Sequence, residues 1–111
     1  MENKEIIEAT CPDCRGPLSR LSHDEAVFEY RCLVGHAYSA RTLLAAHTDA
    51  QEKALWAAAL ALEEAANLVR AVSPELPPDV AERLQIQVQV KLQQAAEIRT
   101  ILERLEPFQT E

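Results

Sequence analysis

Two pairs of metal-ligand residues dominate the N-terminal third of the chain. The first pair lies in Cys11-Pro-Asp-Cys14, and the second lies in Cys32-Leu-Val-Gly-His36, with 17 residues between them. The three cysteines of these pairs are all that the chain contains. Two pairs of soft ligands at such spacings can close a tetrahedron around one ion, and the histidine nitrogen favours Zn²⁺ over iron. The sequence therefore predicts one structural zinc ion per chain, bound by Cys11, Cys14, Cys32 and His36.

This ligand set also predicts the absence of catalysis. Four protein ligands leave no open position on the metal for an activated water. With only two glycines, the chain has no glycine-rich phosphate loop, and no serine, histidine and aspartate fall into a recognisable nucleophile arrangement. We therefore expect a protein that is not an enzyme.

The same cysteines allow two redox interpretations. Cys-Pro-Asp-Cys could be a thioredoxin-like pair, but that function belongs to a βαβ context, which the pattern lacks. A zinc-thiolate site that releases its metal on oxidation would instead make the chain a redox sensor, and this alternative stays open.

The residues around the ligands predict a small β unit, residues 1–38, with a short polar lead over residues 1–9. Pro12 and Gly16 are typical of a tight knuckle around a metal, and Gly35 lets the second knuckle turn. Leu18–Leu21 and Ala26–Arg31 are strand-like and predict an antiparallel hairpin that connects the two knuckles.

From Ser39 onward the pattern becomes helical, which predicts a second domain over residues 39–111. Ser39 can cap a helix over 39–72, although Thr48-Asp-Ala-Gln51 resembles a capping box and could restart that helix. Three prolines in Ser73–Pro78 end it, because proline cannot continue a helix. A second helix is expected over 79–106.

Both helices carry an apolar stripe. On the first helix, Leu55, Leu62 and Val69 recur every seven residues. Three residues after them come Ala58, Ala65 and Val72, respectively, as in an a/d seam. The predicted interface residues are Leu55, Leu62, Val69, Leu84, Val88 and Leu92. The buried stripe of the second helix is expected to comprise Leu84, Val88, Leu92, Ala95, Ile98, Ile101, Leu102 and Leu105.

The segment Ile86–Leu92 alternates apolar and polar residues, which by itself is typical of a strand. We favour a helix there because good helix formers flank the segment, and Ile86 and Val90 then form a second apolar face. Two helices alone cannot cover apolar faces this wide, whereas two hairpins packed as a four-helix bundle can. The sequence therefore predicts a homodimer.

Charge limits the choice of partner. The chain has a formal net charge of −7, which repels phosphate backbones and anionic membranes and favours basic partners. Residues 1–47 hold five basic residues against seven acidic ones, which argues against nucleic acid, although a nucleic-acid-binding zinc ribbon stays an alternative. No targeting signal or membrane helix is apparent, and cysteines kept as metal thiolates suit a reducing cytoplasm.

Three segments together resemble a known family. They are Cys11–Leu18, Phe28–Ser39 and Ala54–Glu64, of which Cys-Leu-Val-Gly-His-Ala-Tyr-Ser is the most specific part. They are similar to a C-terminal extension of some chemotaxis-type protein-glutamate methylesterases, in which a cysteine/histidine ribbon leads into an Ala/Leu/Glu-rich helical hairpin. The catalytic and receiver domains of those enzymes are absent from this sequence, so the resemblance implies the metal site and a signalling context but no methylesterase activity.

The expected protein is therefore mostly α-helical, with an N-terminal β zinc ribbon followed by a long antiparallel helical hairpin. Its expected role is that of a zinc-binding module for protein interaction, associated with regulation or signalling, whose protein partner the sequence does not identify.

Overall fold

The structure, a computed structural model, describes residues 3–24 and 27–111. Four strands precede two helices, and a 3₁₀ turn at Ser73–Glu75 joins the helices. The strands are β1 (Asn3–Thr10), β2 (Pro17–Asp24), β3 (Val27–Cys32) and β4 (Ala37–Tyr38), and the helices are α1 (Ala40–Val72) and α2 (Pro78–Arg104).

The strands form one antiparallel sheet in the order β1-β2-β3-β4. The predicted hairpin is confirmed as β2 and β3, with Ala26 outside the described residues. The polar lead was wrong as a description of residues 3–9, because they belong to β1. Residues 3–6 and Thr10 pair with β2, Lys4 opposite Leu21, and the register is irregular between Ile6 and Thr10. Pairing with a neighbour, rather than its own apolar content, makes this segment a strand.

The long first helix is confirmed, and it runs without a break through Thr48, whose hydroxyl donates to the Leu44 carbonyl inside the helix. Ser39 caps it: the Thr42 backbone N–H donates to Ser39 Oγ, and the Ser39 N–H donates to Thr42 Oγ1. Two donors that the helix cannot satisfy internally are thereby bonded.

The second helix is also confirmed, including the alternating segment 86–92. Its predicted stripe is buried or half-buried except for Ile101, which is 49% exposed. Ile86 and Val90 are exposed on another face, as the helical interpretation required. On α1, Ala59 is fully buried, whereas Ala58 of the predicted seam is exposed.

The chain divides into two compact units. The sheet unit comprises the described residues as far as Gln51, together with Glu106–Glu111, and its hydrophobic cluster is formed by Cys11, Leu18 and Cys32. The helical unit comprises Glu52–Leu105, and its most deeply buried residues are Ala59, Val88 and Ala95. Among the helices that the structure describes, none combines the length and apolar character that crossing a bilayer requires.

Candidate metal centre

The four predicted ligands converge in the sheet unit. Cys11 and Cys14 flank the turn between β1 and β2, Cys32 ends β3, and His36 precedes β4. The ligand atoms of all four lie within 4.8 Å of one another. Residues 25 positions apart in sequence are thus brought together by the pairing of β2 with β3, which sets Leu18 opposite Cys32.

The spacing of these atoms matches a tetrahedral ion. Cys14 Sγ lies 3.6 Å from Cys32 Sγ, and His36 Nδ1 lies 3.3 Å from Cys32 Sγ and 3.6 Å from Cys11 Sγ. Zinc bonds of about 2.3 Å to sulfur and about 2.0 Å to nitrogen place two sulfurs about 3.8 Å apart and a sulfur and a nitrogen about 3.5 Å apart. The four side chains could therefore hold one metal ion with small adjustments.

Each pair of ligands sits on a turn closed by backbone hydrogen bonds. The Arg15 N–H donates to the Cys11 carbonyl over 2.8 Å, and the Gly35 N–H donates to the Cys32 carbonyl over 3.2 Å. Gly35 has φ 107°, as expected of the glycine that turns the second knuckle. In the first knuckle the residue in the left-handed conformation is Arg15, with φ 65°. Gly16 follows it, and its backbone forms a hydrogen bond to Cys14, as expected of a knuckle glycine whose N–H faces a sulfur.

Burial and hydrogen bonding shift the pKa values of the two buried thiols, Cys11 and Cys32, in opposite directions. Burial raises the pKa of Cys32, but hydrogen bonds from the His36 backbone N–H and from Cys14 outweigh it and lower the pKa to about 7. For Cys11, burial raises the pKa as well, but hydrogen bonds that include those from the backbone of Cys14 and Asp13 outweigh it, so the pKa is also lowered. These contacts favour the thiolate, which is the form that binds metal.

Cys14 differs from the other two thiols. The Gly16 backbone lowers its pKa, but burial and interactions with Cys32 and Cys11 raise the pKa more. Cys14 is also exposed, whereas Cys11 and Cys32 are buried. A third thiolate beside two others is unfavourable without a cation, so the cluster has the electrostatics of a site that needs one.

Tyr38 and Asp13 form an outer layer that the sequence argument missed. The Tyr38 hydroxyl donates a hydrogen bond to Asp13, and its oxygen lies 3.4 Å from Cys11 Sγ. Burial, followed by the hydrogen bond to Asp13, raises the pKa of Tyr38 well above its ordinary value, so the hydroxyl keeps its proton. The sequence signal was the tyrosine two residues after His36, within the run that carries the family resemblance.

The predicted interface residues lie in the helical unit. Val88 is buried, and the other five are half-buried: Leu55, Leu62, Val69, Leu84 and Leu92. The large side chains left exposed in this unit are different ones: Trp56, Leu60, Leu68, Ile86, Val90 and Ile101.

Another contact in the helical unit joins α1 to α2. Arg99 donates to both carboxylate oxygens of Glu63, over 2.9 and 2.7 Å, and its guanidinium lies 4.9 Å from the ring centroid of Trp56. The hydrogen bond from Arg99 lowers the pKa of Glu63. This cluster went unnoticed in the sequence because its members are up to 43 residues apart along the chain.

No family model, curated protein or solved structure matches the chain.

Proposed function

We propose that this protein is a non-enzymatic interaction module, associated with regulation or signalling, whose sheet unit is held together by one zinc ion. The observation that carries the proposal is the cluster of three sulfurs and one nitrogen, with ligand atoms within 4.8 Å of one another. Three thiolates and an imidazole in tetrahedral array are a donor set that suits zinc well.

The burial of the ligands supports a structural role for the metal. Cys11 and Cys32 are both members of the hydrophobic cluster of the sheet unit, and Leu18 is its third member. A cluster of this size provides little stability by itself, and ion binding then supplies the folding free energy. Because the protein contributes all four ligands, the ion would have no open position for a substrate.

A second copy of the chain is the partner that we propose for the helical unit. On α1, an uncharged series recurs every three or four residues: Ala54, Ala58, Ala61, Ala65, Leu68 and Val72. All except Ala65 and Val72 are exposed, and Leu68 is 63% exposed. Alanines at this spacing allow two helices to approach closely.

Charge supports self-association through this series, here called the alanine seam. Two copies with a net charge of −7 repel each other, so they can associate only where the contact carries little charge. With about 100° of rotation per residue, the alanine seam lies on the side of α1 opposite Trp56 and Glu63. Exposed Val90 and Ile101 are likewise on the side of α2 opposite Arg99, which widens the available apolar surface.

The experiment is native mass spectrometry of protein purified without added metal. We expect one zinc ion per chain and a mass of two chains. A metal-free chain with reactive thiols would overturn the zinc assignment, and a zinc-loaded monomer would overturn self-association alone.

A matched pair of substitutions locates the contact. Leu68→Glu puts a charge into the alanine seam and should produce a monomer that retains its zinc. Leu60→Glu makes the same change at a 50% exposed position on the other side of α1 and should leave the dimer intact. If both variants stay dimeric, or both become monomeric, the contact does not lie on the seam.

A further inference from the structure

A shallow hollow of about 290 Å³ lies in the helical unit, on the side opposite the alanine seam. We call it the Trp56 hollow, and its lining residues are Glu52, Trp56, Arg99, Leu102 and Glu103. Trp56 is 47% exposed, so a large part of this aromatic side chain has no cover within the unit. An exposed tryptophan in a concave, partly apolar setting is typical of an interaction site.

Arg99 shows that the ring already attracts a cation. Its guanidinium lies 4.9 Å from the Trp56 centroid, and two hydrogen bonds to Glu63 fix it there. Because Glu63 neutralises Arg99 in this position, the guanidinium is not available to the other carboxylates of the hollow.

Two carboxylates of the hollow lack a counterion. Glu52 lies one turn before Trp56 on α1, and Glu103 lies one turn after Arg99 on α2, so the two approach the hollow from different helices. Among residues 3–24 and 27–111, neither forms an ion pair. A cation bound in the hollow would gain a counterion from each helix.

We propose that the Trp56 hollow binds an arginine side chain of a basic segment in a partner protein. This inference rests on the proposed interaction role and specifies the chemistry of the partner. Arg99 already lies over the indole, so the incoming guanidinium would stack on the exposed part of the ring while it donates to the two carboxylates. Lysine lacks that planar geometry. The net charge of −7 would attract a basic segment and steer it towards the chain.

Trp56 provides a direct reporter, because it is the only tryptophan in the chain. The experiment titrates the full-length protein with an acetylated and amidated tetra-arginine peptide and follows the tryptophan emission. We expect a saturable change that weakens as salt is raised. A tetra-glutamate peptide should give no change, and a tetra-lysine peptide should bind more weakly.

A pair of double variants separates the hollow from general charge attraction. Glu52→Gln with Glu103→Gln should weaken tetra-arginine binding about fivefold to tenfold, since each exposed charge pair contributes only modestly. Glu64→Gln with Glu97→Gln removes two other exposed carboxylates from the same helices, leaves the same net charge, and should bind as the unmodified chain does. Equal weakening in both variants would overturn the proposal, as would an emission that does not respond.

The zinc content and oligomeric mass of each sample are measured alongside. A zinc-bound dimer that does not bind tetra-arginine would refute only the proposed binding site at the Trp56 hollow. A metal-free monomer that still binds tetra-arginine would refute the proposed module and leave the hollow standing.

Discussion

The sheet unit and the helical unit bury very little, and they differ in what compensates for it. In the sheet unit, two of the three residues of the hydrophobic cluster, Cys11 and Cys32, are also ligand candidates. In the helical unit the deepest positions are Ala59, Val88 and Ala95, which are small side chains spread along two long helices. In a short sheet, one set of metal–ligand bonds can supply most of the stability. In a helical hairpin, stability is distributed over many contacts between the two helices.

Because their stability has different sources, the two units should unfold independently and in response to different changes. Loss of one metal ligand should unfold the sheet unit. In the helical unit, loss of any single contact between α1 and α2 should lower stability much less.

The largest effect should come from Cys32→Ser. Removal of one thiolate abolishes tight zinc binding, which is worth more than about 10 kcal/mol in small zinc domains, and the sheet unit should unfold. Circular dichroism should still show most of the helical signal, since residues 52–105 contain no ligand. The control is Leu33→Ser, which changes a neighbouring side chain that is 76% exposed. A Cys32→Ser protein with full zinc content would refute the site.

The second effect tests the packing between α1 and α2. Ala95 is 1% exposed, so Ala95→Leu overfills the space beside α2 and should lower the free energy of unfolding by about 2–3 kcal/mol. Ala96→Leu makes the same change at an exposed neighbour and should alter stability by less than about 0.5 kcal/mol. Denaturant unfolding monitored at 222 nm compares the two. Similar losses in both variants would mean that burial along α2 is assigned to the wrong face.

The third effect concerns the outer layer of the metal centre. Tyr38→Phe removes the hydroxyl that donates to Asp13 beside Cys11, and metal affinity should fall about tenfold, as is common when a residue behind a ligand is lost. Competition with a chelator measures the change. Tyr30→Phe, in the neighbouring strand, should leave affinity unchanged. An undiminished affinity in Tyr38→Phe would show that the hydroxyl does not support the ligands.

The smallest effect comes from the ion pair of Glu63 with Arg99. Both side chains are more than a third exposed, so Glu63→Gln should cost only about 0.5 kcal/mol. The hydrogen bond from Arg99 lowers the pKa of Glu63 in the folded chain below its ordinary 4.5. The ion pair therefore contributes fully to the free energy of unfolding at a pH above the ordinary pKa of 4.5. This contribution is lost as the pH falls through the lower pKa that Glu63 has in the folded chain.

Unfolding of the unmodified chain and the Glu63→Gln variant at pH 7 and pH 3 checks this sign. The difference in stability should shrink in acid, while Glu64→Gln should show little difference at either pH. A difference that grows towards low pH would contradict the assignment.

Features that depend on local spacing were predictable from the sequence. Cysteine and histidine pairs at fixed separations predicted the ligand cluster. Ser39 and the prolines before residue 79 predicted where the helices begin and end, because capping and the missing proline N–H act within one turn. The flanking helix formers correctly outweighed the strand-like alternation of 86–92.

Features that depend on a partner far away in the sequence were not predictable in this way. Residues 3–10 became a strand because β2 offers them hydrogen bonds, and their own polar composition gave no such signal. Ala59 rather than Ala58 is buried because the position of α2, and not a count of seven, selects the inward side of a helix with 3.6 residues per turn. Tyr38 beside Cys11, and Glu63 beside Arg99, likewise meet only once the strands and helices have paired, since nothing in the local sequence fixes those distances.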